Sequence, residues 1–177
     1  WTNAGTAMTS ESTLLANARE LVAAKVDVLV ASIDPAILAA KKVAVVACMD
    51  ARLDPQKVLG LGEGDAHVIR NAGGVVTDDE IRSLSISQRL LGTEEVILIH
   101  HTDCGMLTFT DDAFKRSIQD ETGIKPEWAA EAFPDVDEDV RQSMARISAS
   151  PFVVHKDAVR GFVFDVASGK LQEVTSG

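Results

Sequence analysis

Val43-Ala44-Val45-Val46-Ala47-Cys48-Met49-Asp50-Ala51-Arg52 is the stretch whose reading decides the fold. An apolar, Val-rich run stops abruptly at Cys48, Asp50 and Arg52. Such a run reads as a strand of a parallel sheet, covered on both faces. The polar residues after it stand where open α/β proteins place their chemistry, at the carboxyl end of a strand. An extended backbone through Arg52 would project positions 48, 50 and 52 to one side. A thiol, a carboxylate and a guanidinium would then converge. Val96–Ile99 ends in the same manner, in His100-His101-Thr102-Asp103-Cys104-Gly105. Together the two strand ends offer Cys48, His101 and Cys104, which are soft to borderline metal ligands.

Outward from these runs, strands alternate with helices. Asp54-Pro55 is a helix start, with Asp as N-cap and Pro at the first helical position, and Gly60 and Gly62 close that helix. Ala66–Arg70 reads as the next strand, followed by the tight turn Asn71-Ala72-Gly73-Gly74. Thr77-Asp78-Asp79-Glu80 forms a capping box for a helix through Leu91, with Gly92 just past its end. Glu95–His100 is a third strand. Thr108 or Thr110 caps a helix to Glu121, 123–136 is a loop, and Asp137–Ser148 is a helix with acidic residues at its start. Val159–Val166 and Leu171–Val174 are strands around the turn 167–170, the last at an edge. The expected fold is therefore α/β: a mostly parallel sheet of about four strands plus an antiparallel edge strand, flanked by helices. The spacing of Leu14, Leu15, Ala18, Leu21, Val22 and Val26 predicts an N-terminal helical arm.

Of the 177 residues 46% are hydrophobic, enough for one domain with a sizeable core. No repeat or linker divides residues 9–177, the expected single domain. Residues 1–8 carry no pattern up to Met8 and read as a remnant or a disordered leader. No apolar run approaches bilayer length. Seventeen basic against 27 acidic residues give a net charge of −10, which argues against nucleic acid or an anionic membrane as partner. With no export signal, the two cysteines point to metal or catalysis in a cytoplasmic protein rather than to a structural disulfide.

The blander alternative is that Cys48 and Cys104 are ordinary buried cysteines and His101 a satisfied loop histidine. Each is the better reading taken singly. Both cysteines falling at strand ends beside polar partners weakens it. Two Cys and one His are one ligand short of a closed structural zinc site, so the fourth position falls to water or to Asp50. Asp50 and Arg52 suit a salt-bridged dyad, or a surface pair of little worth. His100 should face away from His101 and be structural. His67 and His155 read as structural or solvated, and Asp111-Asp112 and Asp135–Asp139 as helix-start or solvated charge. The Asn71–Gly74 turn lacks phosphate-loop spacing and reads as close backbone packing beside the site.

Cys48-x-Asp50-x-Arg52, Arg70-Asn71-Ala72-Gly73 and His101-x-x-Cys104-Gly105, in this order and spacing, resemble the motifs of the β-class carbonic anhydrases. The likeness runs from about residue 10 to 175, and Ala47 to Gly123 is similar to the short, actinobacterial-type members. The resemblance implies Cys48, His101 and Cys104 as ligands of Zn²⁺, and Asp50 and Arg52 as the catalytic dyad that orients zinc-bound water or lets Asp50 close the site. It implies reversible hydration of carbon dioxide to bicarbonate and a proton, through attack of zinc-bound hydroxide, in a homodimer or homotetramer. Carbonyl sulfide and carbon disulfide hydrolases resemble the same family and share its zinc shell, so they form the alternative; a non-catalytic zinc-binding protein is more distant. A redox pair of Cys48 and Cys104 lacks the C-x-x-C spacing. Ala51 stands where many members carry Ser. With no Tyr in the chain, the regulatory bicarbonate site that some members build from Trp, Arg and Tyr is not intact. Gly74, Val75 and Met106 are candidates to line the pocket.

Overall fold

The structure, a computed structural model, describes residues 41–175. The N-terminal helical arm and residues 1–8 lie outside the described residues. Five strands form one sheet in the order β2-β1-β3-β4-β5. β1 (Val43–Cys48), β2 (Ala66–Asn71), β3 (Glu95–His101) and β4 (Val159–Asp165) run parallel, and β5 (Lys170–Val174) returns antiparallel along β4. The expected architecture is thus the one observed.

Every residue of β1 is buried, as its unbroken apolar run requires for a central strand flanked by β2 and β3. One face of the sheet carries Ala44, Val46, Val96, Leu98 and Val163. Against it pack Leu84 of α2 (Asp78–Leu91) and Val140, Met144 and Ile147 of α4 (Val136–Ala149). The other face carries Val43, Val45, Ala47 and Ile99, covered by Leu53, Val75, Met106 and Phe133 and by the partly buried Val58 and Leu59 of α1 (Pro55–Leu59). α3 (Asp111–Thr122) buries no residue fully.

The helix boundaries follow their caps. Asp54 accepts from the Lys57 N–H, Pro55 opens α1, and Gly60 ends it with a left-handed φ of 65°. Thr77 and Glu80 form the expected reciprocal box at α2, with the Thr77 N–H donating to the Glu80 carboxylate at 2.9 Å. Thr110, rather than Thr108, caps α3, its hydroxyl accepting from the Ala113 N–H. Asp135 caps α4.

Candidate metal centre

Because β1 and β3 pair in parallel with Ala47 opposite Ile99, their carboxyl ends lie side by side. Cys48 ends β1 and His101 ends β3. Cys104 follows a turn whose Asp103 takes the left-handed φ of 55°. One ligand atom each from Cys48, His101 and Cys104 lies within 4.8 Å of the others, and all three residues are buried. Among the described residues this is the cluster with the donor types and spacing to hold a metal ion.

His101 is oriented from behind. Its Nδ1 lies 2.8 Å from the Thr102 carbonyl oxygen. A carbonyl only accepts, so Nδ1 carries the proton and Nε2 is left to face Cys48 Sγ at 3.2 Å. The sulfur is electrostatically prepared as well. Contact with Cys104, assisted by His101 and by the backbone N–H groups of Asp50 and Gly73, brings the Cys48 thiol down to about 4 although burial opposes it. Cys104, beside that charge and buried, is pushed up. Burial works to lower the His101 value, but Cys48 and the Thr102 carbonyl outweigh it and raise it above its ordinary position.

The strand does not stay extended through Arg52. β1 ends at Cys48, and residues 50–53 make a turn closed by the Leu53 N–H to the Asp50 carbonyl at 3.1 Å. The convergence of Cys48, Asp50 and Arg52 therefore arises from a turn rather than from strand alternation. Asp50 Oδ1 accepts from the Arg52 backbone N–H at 2.8 Å and Nε at 3.0 Å, and Oδ2 accepts from Nη2 at 2.8 Å. This bidentate grip holds the Asp50 carboxyl well below its ordinary range. Oδ2 also stands 3.7 Å from His101 Nε2, at the border of the sulfur cluster.

Two residues of this constellation stand in the quoted stretches without a role assigned to them there. Asp103 receives Arg52 Nη1 at 2.7 Å, and its carbonyl receives Nη2 at 3.0 Å, so Arg52 bridges the two strand-end turns. Arg70, on β2, donates to the carbonyls of Cys48, Asp50 and Leu53. The Asn71–Gly74 turn packs against the site as expected: a Cβ on Gly74 would meet the Cys48 nitrogen at 2.8 Å, and one on Gly73 would meet Met106 and Phe133 at 3.1 Å. Asn71 Nδ2 donates to the Val75 carbonyl at 2.8 Å and braces that turn. Val75 and Met106 are buried in one cluster with Cys48, Cys104, Phe133 and Ala47, an apolar wall beside the ligand atoms.

His100 is fully buried on the opposite face, with Nε2 2.7 Å from Asp139 of α4, so it belongs to the scaffold as expected. Asp139 does stand in the first turn of α4, but it is not solvated: it is buried against His100, 39 positions away along the chain. Asp111 likewise does more than open α3. Its carboxylate accepts the N–H groups of Ala130, Glu131 and Ala132 and ties down the loop that delivers Phe133. His67 lies 2.7 Å from Ser87 Oγ, in a structural setting.

Comparison with known proteins agrees with this geometry. Residues 43–171 match the carbonic anhydrase family. β-Carbonic anhydrase 1 of Mycobacterium tuberculosis is 71% identical over 135 residues, covering 76% of this chain and 83% of that protein. A carbon disulfide hydrolase of Acidithiobacillus thiooxidans is 32% identical over 149 residues, covering 72% and 74%. Among solved structures, carbonic anhydrase from Streptococcus mutans superposes with a TM-score of 0.75 at 39% identity, covering 91% of this chain and 97% of the other. The chain belongs to the β-carbonic anhydrase family.

Proposed function

We propose that the chain is a zinc-dependent carbonic anhydrase in which Cys48, His101 and Cys104 hold the metal and Asp50 and Arg52 serve catalysis. The observation that carries this reading is the three-donor cluster with Asp50 poised beside it and turned into Arg52. Two thiols and an imidazole are a donor set suited to Zn²⁺, and three protein ligands are the number a catalytic zinc uses. Zinc bound there would supply a Lewis acid that brings the pKa of water toward neutrality.

The protein's own groups then have definite tasks. The Thr102 carbonyl fixes the His101 ring, so that Nε2 is presented to the ligand cluster. Asp50 stays ionised across any working pH, because Arg52 holds its charge. A carboxylate acceptor at the edge of the cluster orients a water molecule by taking one of its hydrogens, leaving a lone pair for the substrate carbon. Arg52, fixed between Asp50 and Asp103, keeps that carboxylate in place. The apolar wall of Ala47, Val75, Met106 and Phe133 suits a small uncharged linear molecule such as carbon dioxide.

Carbon dioxide is preferred to carbon disulfide because the relative at 71% identity is named a carbonic anhydrase and the carbon disulfide hydrolase shares 32%. A cytoplasmic location is supported by the two free cysteines. A homodimer or homotetramer is supported by β2 standing at the sheet edge beside the exposed Val68, Ile86 and Leu90. The test is stopped-flow hydration of carbon dioxide on protein of known zinc content, with sulfide release from carbon disulfide assayed in parallel. Rapid, zinc-dependent hydration that rises with pH is expected. Zinc-loaded protein that hydrates no carbon dioxide but releases sulfide would transfer the reading to the hydrolases, and loaded protein inert to both would leave a non-catalytic zinc protein.

A further inference from the structure

The donor cluster does not by itself choose a substrate. Relatives of the chain include a carbonic anhydrase and a carbon disulfide hydrolase, and attack on the central carbon of a linear triatomic molecule is one chemistry for both. Sulfur is larger than oxygen and its bond to carbon is longer, so selection between the two falls to the space beside the donors. Phe133 stands at the limit of that space. Inward, it is buried in one cluster with Cys48, Cys104, Met106 and Val75, and its Cε1 lies 3.1 Å from where a Cβ on Gly73 would stand. Outward, it lines a separate pocket of about 440 Å³ with Leu107, Phe109, Ala132 and Pro134. Of the residues around that pocket, Phe133 is the one that is buried.

Its place is fixed from both ends. The Phe133 N–H donates to the Met106 carbonyl at 3.3 Å, and its ring lies 5.8 Å from the His100 ring. The three residues before it give their N–H groups to the Asp111 carboxylate at 2.8, 3.2 and 2.8 Å. Glu131 in that run takes a φ of 60°, and its carboxylate receives Arg146 Nη2 at 2.9 Å. A left-handed conformation at a residue with a Cβ is costly and persists where the surroundings fix it. We propose that Phe133 is a specificity-determining residue: its ring shuts the outer pocket off from the ligand cluster and keeps the inner space to the dimensions of carbon dioxide, excluding carbon disulfide. This rests on the reading of Cys48, His101 and Cys104 as zinc ligands. Removing the ring joins the outer pocket to the inner site and admits the larger molecule. Phe109 lines the same pocket but is only partly buried at the margin of the cluster, so its removal widens the pocket without opening the wall.

The test uses the full chain in two metal forms. Zinc-loaded protein is assayed for carbon dioxide hydration and for sulfide release from carbon disulfide, in which two waters replace both sulfurs and give carbon dioxide and two molecules of hydrogen sulfide. Cobalt(II)-loaded protein is titrated spectroscopically with cyanate and with thiocyanate, linear anions that differ by one oxygen replaced by sulfur. F133A is expected to raise kcat/KM for carbon disulfide relative to carbon dioxide by about tenfold or more, the worth of roughly one methylene group of pocket space, and to tighten thiocyanate relative to cyanate. F109A is expected to leave both ratios at the wild-type value. If F133A lowers both activities together or leaves either ratio unmoved, Phe133 is only structural and the proposal fails. The same shift in F109A would mark general loosening and defeat it equally. Should F133A not fold, F133L carries the same comparisons with a smaller shift. A wild type that takes up neither metal overturns the metal reading itself, an outcome distinct from metal bound with ratios insensitive to Phe133.

Discussion

Replacing Gly74 with Ala tests whether the two strand ends are held at a spacing set by bare backbone contact. Gly74 has a φ of 77°, and an added Cβ would lie 2.8 Å from the Cys48 nitrogen, 3.1 Å from the Ala47 carbonyl carbon and 3.1 Å from the Ile99 carbonyl oxygen. All three atoms are main chain of the central strands, so none can swing aside. A left-handed conformation costs a non-Gly residue about 1–2 kcal/mol, and an unrelieved extra methyl in a packed core about 1–3 kcal/mol more. The expected loss of roughly 2–5 kcal/mol is a large part of a stability of about 5–15 kcal/mol. Gly92 supplies the control, with a φ of 75° and no atom within 4 Å of its added Cβ. G92A should show the backbone cost alone. The assay is equilibrium urea unfolding at one fixed protein concentration, with the slope checked for constancy. The surviving G74A protein should also bind zinc about 10–100-fold more weakly, because Cys48 is displaced from its partners. If G74A matched G92A within the roughly 0.5 kcal/mol typical of surface changes, backbone contact would not set the spacing of β1 and β3 at the site.

D50A should retain zinc, which the metal assay checks, while losing about 10²–10⁴-fold in turnover, the usual worth of a positioned proton acceptor. D103N should act more mildly: Arg52 keeps Asp50 and loses only an exposed, solvent-screened partner, so hydration should fall by no more than about fivefold with zinc content unchanged. Zinc binding, followed calorimetrically in buffers of differing ionisation enthalpy, should release one proton from the cysteine pair rather than two, because one thiol of the pair is already held ionised by its neighbour and by His101, with a further share from His101, whose value is raised; a total of two protons or more from the cysteines at neutral pH would contradict this. Burial tends to raise the Asp111 carboxyl, but its three backbone N–H donors prevail and lower it. A depressed folded value stabilises above the unfolded pKa of about 3.9 and is lost as pH falls through the folded value. The stability gap between wild type and D111N, read from urea midpoints, should therefore be widest above about pH 5 and shrink below about pH 4.

The metal cluster was legible because its signal is residue type at strand ends: apolar runs that stop at Cys48 and His101 announce both the strands and the chemistry. Helix limits were equally plain, since Asp54, Thr77, Gly60 and Gly92 act through local chemistry. What escaped were residues acting through the main chain or across the fold. Arg70 binds carbonyls, which every residue possesses, so its acceptors leave no mark in the sequence. Asp103 depends on a backbone conformation that Asp tolerates but does not announce. Asp139 sits in an acidic run whose other members do solvate or cap, and only the approach of α4 to β3 distinguishes it. Strand alternation placed Cys48, Asp50 and Arg52 together for the wrong reason, because it took no account of the turn that Arg70 encloses.

The adjacent histidines of β3 have a consequence for how the sheet assembles. His100 faces α4 and meets a carboxylate, while His101 faces the sulfur cluster. A slip of one residue in β3 would turn each imidazole to the other's face of the sheet. A slip one way would bring His101 to Asp139 and a slip the other way would bring His100 to the two thiols, and either would turn the preceding Val96, Ile97, Leu98 and Ile99 to the opposite layers. The pair works as a parity check written into the strand. A metal ion arriving during folding would stabilise only chains that pass it, so the same three donors would also proofread strand pairing.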